Sequence, residues 1–131
     1  MAEHDEQVAV IQWATFLEGQ YPELGLLYAV PNGAKLPYKQ VKGKNGKTYR
    51  WSPEAEKLKA EGMRSGVPDL CLPVARKGFH GLYIEMKAGR NKPSDNQVGY
   101  LDALAAQGNL AVVVWSAEEA IETILEYLEV L

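Results

Sequence analysis

Two neighbouring apolar segments in the middle of the sequence each carry acidic residues where a strand normally has none. Residues 70–72 are apolar but directly follow Asp69, and residues 81–87 form a second apolar segment that contains Glu85 and Lys87. Alternate side chains of a strand point to opposite faces, so Glu85 and Lys87 would share one face. Because carboxylates are costly to bury and disfavoured in strands, two of them beside a lysine on adjacent strands predict a site for a divalent cation.

The size and composition of the chain favour one intracellular, cytoplasmic domain without a membrane partner. With 131 residues and 47% hydrophobic content, the chain can bury a core of its own. The acidic N-terminus does not resemble a signal peptide, and no apolar run approaches the roughly 20 residues of a membrane span. Cys71 is the single cysteine, which excludes an intramolecular disulfide and a cysteine-based zinc site and leaves a core thiol as its simplest role.

The charge of the chain is unevenly distributed, although the net charge is only −3. All 14 basic residues lie within residues 35–92, which hold five acids, so that this stretch has a local charge of +9. Residues 117–131 contain five glutamates and no basic residue. This asymmetry favours an anionic partner, although solvated lysines on a loop would give the same composition.

Residues 35–51 form a basic insert in which lysines alternate with aromatic residues. The dipeptide Asn45-Gly46 favours a two-residue hairpin turn with positive φ. The pattern predicts a basic hairpin that binds phosphates and offers aromatic rings for stacking, with a merely solvated hairpin as the alternative. The candidate DNA-binding residues are Lys35, Lys39, Lys42, Lys44, Lys47, Arg50 and Arg64.

Hydrophobic periodicity and capping residues predict the remaining elements. Helices are expected over residues 5–18, 53–62, 94–107 and from 116 onwards, and strands over residues 26–30, 70–72, 81–87 and 110–115. Pro31-Asn32-Gly33 predicts a turn after the first strand. The apolar run of the last strand is typical of burial on both faces. The alternation of helices and strands indicates an α/β fold, with a mixed central sheet flanked by helices.

Two helices are predicted to begin with a capping box. Ser94 with Gln97, and Ser116 with Glu119, have the spacing at which each side chain satisfies a backbone N–H group of the other residue. The capping box is by itself a sufficient structural reason for Gln97.

The predicted cation site suits hydrolysis of a phosphodiester. That reaction needs a nucleophilic water and stabilisation of negative charge, and a hard divalent ion supplies both. Mg²⁺ keeps several waters, so Asp69 and Glu85 suffice as protein carboxylates, with the backbone carbonyl of Met86 as a third ligand. Lys87 lies roughly 6.5–7 Å from Glu85 along the same face, where it can orient or deprotonate water or neutralise a phosphate.

Other chemistries lack a supporting pattern. His4 and His80 have no metal-ligand spacing, no glycine-rich phosphate loop precedes a helix, and no serine lies in a nucleophile elbow. The acids at the start of the first helix allow two interpretations. They interact favourably with the helix dipole, or one of them reaches the cation site.

These residues resemble a known nuclease pattern. Pro68-Asp69 followed, after 15 residues, by Glu85-Met86-Lys87 is similar to the PD-(D/E)xK signature. The surroundings add specificity, namely Pro31-Asn32-Gly33, Gly62, Gly66-Val67-Pro68-Asp69-Leu70, Ile84-Glu85-Met86-Lys87, and Ser94 with Gln97. From about Glu3 to Trp115 the chain resembles the virus-type replication-repair nuclease (VRR-NUC) domain, in particular its small stand-alone phage and bacterial forms.

The resemblance implies a restriction-endonuclease-like fold and Mg²⁺- or Mn²⁺-dependent cleavage of DNA by one domain over residues 1–131. Asp69 and Glu85 would be metal ligands, and Lys87 would be the catalytic lysine. An acid of the first helix would complete the catalytic and metal site, with Glu6 as first choice and Glu3 as second.

The resemblance also bears on partners and substrate. Gln97 matches a glutamine of the family and would serve the site as well as the cap. Stand-alone members imply a homodimer that acts on branched DNA, such as a Holliday junction, in DNA repair. Residues 39–49 are an insertion relative to the compact pattern, and the number of metal ions stays open. The alternative function is a non-catalytic module that binds DNA or recognises junctions, with a vestigial carboxylate cluster.

Overall fold

A computed structural model of the chain describes residues 2–31 and 38–130. Contacts divide the chain into two compact units, Met1–Val30 with Gly66–Leu131, and Pro31–Ser65. Lys35 and most of the turn predicted at residues 31–33 lie outside the described residues. The helices are α1 (Glu3–Leu17), α2 (Pro53–Ala60), α3 (Asp95–Ala106) and α4 (Ala117–Tyr127), and the strands are β1 (Tyr28–Ala29), β2 (Lys39–Lys42), β3 (Thr48–Trp51), β4 (Leu70–Leu72), β5 (Leu82–Met86) and β6 (Leu110–Val114).

The first unit is built on a four-stranded mixed sheet in the order β1-β4-β5-β6. β4 pairs antiparallel with both β1 and β5, whereas β5 pairs parallel with β6. The expected α/β fold with a mixed sheet flanked by helices is therefore confirmed. Across residues 2–31 and 38–130, no helix has both the length and the apolarity that a membrane-spanning helix requires.

One face of this sheet forms the hydrophobic core with α1 and α4. Leu70 and Leu72 of β4 lie in the same buried cluster as Ile84 of β5, and the helices contribute Val10 and Ile124. Each fully buried side chain of this kind stabilises the fold by about 1.5–3 kcal/mol. The period of two then sends the intervening residues of both strands to the opposite face, called the site face below, which carries Asp69, Cys71, Tyr83 and Glu85.

Two predictions for the strands of the first unit need correction, one in its bounds and one in its burial. The predicted strand over residues 26–30 is shortened to Tyr28–Ala29, because a 3₁₀ helix over Pro22–Leu26 occupies its start. Proline at the first position favours that turn. β6 is half-buried along most of its length rather than buried on both faces, because it lies at the edge of the four-stranded sheet.

The second unit contains the predicted hairpin, with β2 and β3 paired antiparallel, followed by α2. Its turn differs from the predicted two-residue type. Gly43 donates its N–H to Lys47 at 2.8 Å, so three residues form the loop. Gly46 has φ +77°, which is the glycine of a three-residue loop with a bulge. The predicted start of α2 is confirmed, since the Ser52 hydroxyl accepts the N–H of Ala55 at 3.1 Å.

Candidate metal centre

The register of β4 and β5 brings the two buried carboxylates together. Leu70 pairs with Ile84, and extending this antiparallel register by one residue places Asp69 opposite Glu85 on the site face. Asp69 is 6% exposed and Glu85 is 1% exposed. Neighbouring carboxylates repel each other when both are ionised and buried, so such a pair requires protons or a cation.

Asp69 is fixed in place by hydrogen bonds to two other strands. Its Oδ2 accepts the backbone N–H of Met86 at 2.7 Å, and its backbone carbonyl accepts the N–H of Val30 at 2.9 Å. In a pleated strand the N–H and C=O of one residue point to the same side, so the Met86 carbonyl also points towards β4. Pro68 lies opposite in the extended register and has no N–H to donate to this carbonyl.

Glu85 has one bonded and one unbonded carboxylate oxygen. Its Oε2 accepts the side-chain amide of Gln97 at 3.1 Å and lies 3.3 Å from Nζ of Lys87. Its Oε1 is buried and has no hydrogen-bond partner within the described parts of the chain. Burial, and secondarily the charge of Asp69, raises the pKa of Glu85 from 4.5 to about 7, although Lys87 opposes the shift. An unsatisfied buried polar atom costs about 1–3 kcal/mol, which a cation at Oε1 would remove.

The first residue of α1 completes a group of three carboxylates. Glu3, Asp69 and Glu85 each offer an oxygen, and these oxygens all lie within 4.8 Å of one another. Oxygen ligands of this kind suit the hard cations Mg²⁺ and Mn²⁺. The unbonded oxygen of Glu85 and the all-carboxylate donor set together fit a divalent cation.

Glu6, the first choice for the acid from α1, does not belong to this group of three carboxylates and instead contacts the start of α4. Its Oε2 accepts the backbone N–H of Ala117 at 2.6 Å, at the first residue of α4. A carboxylate there satisfies one of the free N–H groups of the helix and interacts favourably with its dipole. The structure therefore groups Glu3 with Asp69 and Glu85, and it holds Glu6 at the start of α4.

Gln97 makes two contacts, one within the helix cap and one with the carboxylate of Glu85. Its Oε1 accepts the N–H of Ser94 and the Ser94 hydroxyl accepts the N–H of Gln97, so the predicted capping box is present. The amide nitrogen of the same side chain donates to Glu85. The ammonium of Lys87, whose side chain is 12% exposed, lies 3.3 Å from the same carboxylate oxygen.

Gly66 allows the segment that enters β4 to approach α3. Its φ is +84°, and a Cβ atom at this position would lie 2.9 Å from the backbone oxygen of Asn96. Only glycine combines this backbone conformation with so close a contact. Gly66 is part of the sequence motif. The physical reason for a glycine there is its contact with the first turn of the helix that carries Gln97, and this contact depends on the tertiary structure.

The described basic candidates all belong to the second unit, where each is exposed. Lys39 and Lys42 lie on β2 and Arg50 on β3. Lys44 lies in the loop, Lys47 lies between the loop and β3, and Arg64 follows α2. None of the six has a carboxylate within ion-pair distance in residues 2–31 and 38–130. Arg50 stacks over the ring of Tyr38 at 3.7 Å, so its guanidinium is held by a cation–π contact.

Comparisons with known proteins identify the family of the chain. The family model described as VRR-NUC domain matches residues 2–118. A solved structure titled "VRR_NUC domain protein" superposes with a TM-score of 0.72 at 27% sequence identity, covering 98% of this chain and 89% of the other. No curated protein sequence matches. Because the family match spans most of its length, the chain belongs to the VRR-NUC domain family, which is a family of the nuclease type.

Proposed function

We propose that this protein is a Mg²⁺- or Mn²⁺-dependent DNA endonuclease. The observation that carries the proposal is the group of three carboxylates, with oxygens within 4.8 Å of one another, beside a lysine. The buried, unbonded Oε1 of Glu85 supports a cation rather than a salt-bridge network, because a protein network would satisfy this oxygen. Membership in a nuclease-type family supports DNA as the substrate.

The metal ligands proposed are Asp69, Glu85 and Glu3, with the backbone carbonyl of Met86 as a further oxygen donor. A divalent ion bound there would lower the pKa of water and offset negative charge on the phosphate. Glu3 replaces Glu6 in this set, because the carboxylate of Glu6 binds the first N–H of α4.

Two further residues act on the site without contributing a carboxylate. Lys87 lies beside Glu85, where its ammonium can neutralise the scissile phosphate or orient the attacking water. Gln97 holds one oxygen of Glu85 by a hydrogen bond, which leaves the other oxygen free for the ion. Outer contacts of this kind orient metal ligands and raise metal affinity.

Substitutions at the site test the proposal. Glu85→Ala and Lys87→Ala should each abolish cleavage of labelled plasmid and branched DNA in Mg²⁺ or Mn²⁺, while DNA binding persists. Lys77→Ala is the matched control, since it removes an equal charge from the turn at residues 76–79, away from the carboxylates. Unchanged cleavage by the Glu85→Ala, Lys87→Ala double variant would reject this site.

The form of the substrate and of the assembly is part of the same proposal. We expect selective cleavage of branched DNA, such as a four-way junction, by a homodimer, because two cuts by a 131-residue chain call for two copies of the site. Linear, flapped and four-way substrates, cut by protein of known oligomeric mass, test both points. Binding to junctions without any metal-dependent nick would instead favour the non-catalytic DNA-binding module.

A further inference from the structure

Trp115 lies beside Lys87 at the edge of the candidate metal centre. The parallel register pairs Met86 with Val114, and Lys87 donates its N–H to the carbonyl of Val114 at 2.9 Å. Extending this register by one residue places Trp115 next to Lys87. Trp115 itself lies in the bend that follows β6, so the register gives only its level along the sheet, next to Lys87.

The indole ring of Trp115 is held in place but not covered. Its Nε1–H donates to the carbonyl of Asn91 at 2.8 Å, and its backbone N–H donates to Oε2 of Glu119 at 3.2 Å. The residue is nevertheless 40% exposed. Because the one polar atom of the indole is already bonded, most of the exposed side-chain surface is aromatic carbon. A fixed, partly exposed ring of this kind can stack on a nucleobase at little entropic cost.

The turn that binds the indole also presents two cations. Asn91 donates its N–H to the carbonyl of Ala88 at 3.1 Å, and Gly89 between them has φ +59°. Arg90 and Lys92 on this segment are exposed, and neither has a carboxylate within ion-pair distance in the part of the chain that the structure describes. An aromatic ring beside free cations is the combination that binds a single nucleic-acid strand, since the ring stacks a base and the cations contact phosphates.

We propose that Trp115, with Arg90 and Lys92, binds an unpaired nucleotide of the DNA next to the phosphate that is cut. Bases inside a duplex stack on one another and offer no free face to the indole, so this contact requires unpaired nucleotides at the cut. The location relative to the cut rests on the proposed function, whereas the contact between the indole and a base does not. Within the branched substrates proposed above, the inference favours those with unpaired nucleotides beside the cut, so flapped DNA should be cut in preference to a fully paired four-way junction.

A comparison of base-bearing and abasic DNA tests this contact. The probe is a DNA hairpin with a short single-stranded arm, prepared with its bases or with every arm nucleotide abasic, and titrated in Ca²⁺ by fluorescence anisotropy. The wild-type protein should bind the base-bearing arm about tenfold more tightly than the abasic one. Trp115→Ala should reduce this ratio towards one, whereas Trp115→Phe, which keeps an aromatic ring, should retain most of it.

Phe16→Ala provides the matched control, because Phe16 is an aromatic residue of α1 that is 86% exposed. Its ratio should equal that of the wild-type protein. An unchanged ratio in a folded Trp115→Ala variant, or an equal loss in Phe16→Ala, would overturn the inference. If Trp115→Ala does not fold, quenching of tryptophan fluorescence by the base-bearing arm decides the question, since it should be smaller in Trp115→Phe than in wild type.

The two proposals fail in different ways. If the protein nicks DNA in a metal-dependent way but Trp115→Ala does not change the binding ratio, the proposed nuclease function stands and the proposed base contact is rejected. If Trp115→Ala loses the preference for base-bearing over abasic DNA but the wild-type protein never nicks DNA, the base contact stands and the nuclease function is rejected.

Discussion

Gln97 on α3 donates its side-chain amide to Oε2 of Glu85 on β5 at 3.1 Å, while its own Oε1 accepts the N–H of Ser94 at 2.9 Å. One side chain thus joins a helix cap to a candidate metal ligand. Because the capping box fixes Gln97, the start of α3 sets the orientation of the Glu85 carboxylate.

Substitution of Gln97 separates its two contacts. Gln97→Glu keeps an oxygen that can accept the N–H of Ser94, but it replaces the donor to Glu85 with a negative charge. We expect cleavage and metal affinity to fall about 10–100-fold, because the donor to Glu85 is lost while the contact with Ser94 is kept. Gln97→Ala should lose both contacts, so its unfolding free energy should also fall by about 1 kcal/mol. Full activity of Gln97→Glu would mean that the amide does not orient Glu85.

The raised pKa of Glu85 predicts how stability depends on pH without metal. The pKa is about 7 in the folded protein, against an ordinary value of 4.5. Below about pH 4.5 the carboxyl is protonated in both folded and unfolded states. Between about pH 4.5 and 7 only the folded state keeps the proton, so the stability of the metal-free protein falls by roughly 3 kcal/mol across this window and stays lower above it.

Glu85→Gln removes this titration, so thermal unfolding at pH 5 and pH 8 checks it. The melting temperature of the variant should exceed that of the wild type at pH 8 but not at pH 5. Mg²⁺ should stabilise the wild type most at pH 8, because below pH 7 protons compete with the ion, and it should not stabilise the variant. Glu122→Gln, which changes an exposed acid, should behave as wild type. A melting-temperature difference independent of pH would contradict a raised pKa.

The parts of the site that follow from short-range rules could be predicted from the sequence. A period of two places the side chains of Glu85 and Lys87 together on β5, and the spacing of Ser94 and Gln97 predicts their capping box. The edge position of β6 could not be predicted in this way, because the order of strands depends on tertiary packing. The apolar run of β6 is compatible both with a central strand and with a half-buried edge strand, so the sequence pattern does not distinguish them.

The cap of α4 shows the same limit. Ser116 caps the helix as predicted, since its hydroxyl accepts the N–H of Glu119 at 3.1 Å. The carboxylate of Glu119, however, accepts the N–H of Trp115 rather than that of Ser116. The N–H of Ala117 is satisfied by Glu6, which lies 111 positions away in the sequence. No local pattern distinguishes such an acid from Glu3, so the choice between them required the fold.

Substitutions of Glu6 and Glu3 should affect different properties, namely stability for Glu6 and metal affinity for Glu3. Glu6→Gln weakens a charged cap of α4, so we expect the unfolding free energy to fall by about 1 kcal/mol with metal affinity unchanged. Glu3→Gln removes a carboxylate from the group of three, so metal affinity and cleavage should fall with little loss of stability. Urea unfolding without metal, together with Mn²⁺ titration by calorimetry, measures both effects. If Glu6→Gln abolished Mn²⁺ binding in a folded protein, the assignment of Glu3 would be wrong.

The basic hairpin should make the DNA affinity depend on salt. Lys44 and Lys47 are exposed hairpin residues without ion-pair partners among the described residues, so each can replace a counterion on a phosphate. Substitution of both with Ala should weaken DNA binding and reduce the slope of log K against log salt by about two units. The matched control substitutes Lys57 and Lys59 of α2, where Lys59 pairs with Glu56 at 3.7 Å, and should leave the slope nearly unchanged. Anisotropy titrations over a range of KCl concentrations measure the slopes, and equal slopes for the two double variants would show that the hairpin loop makes no phosphate contact.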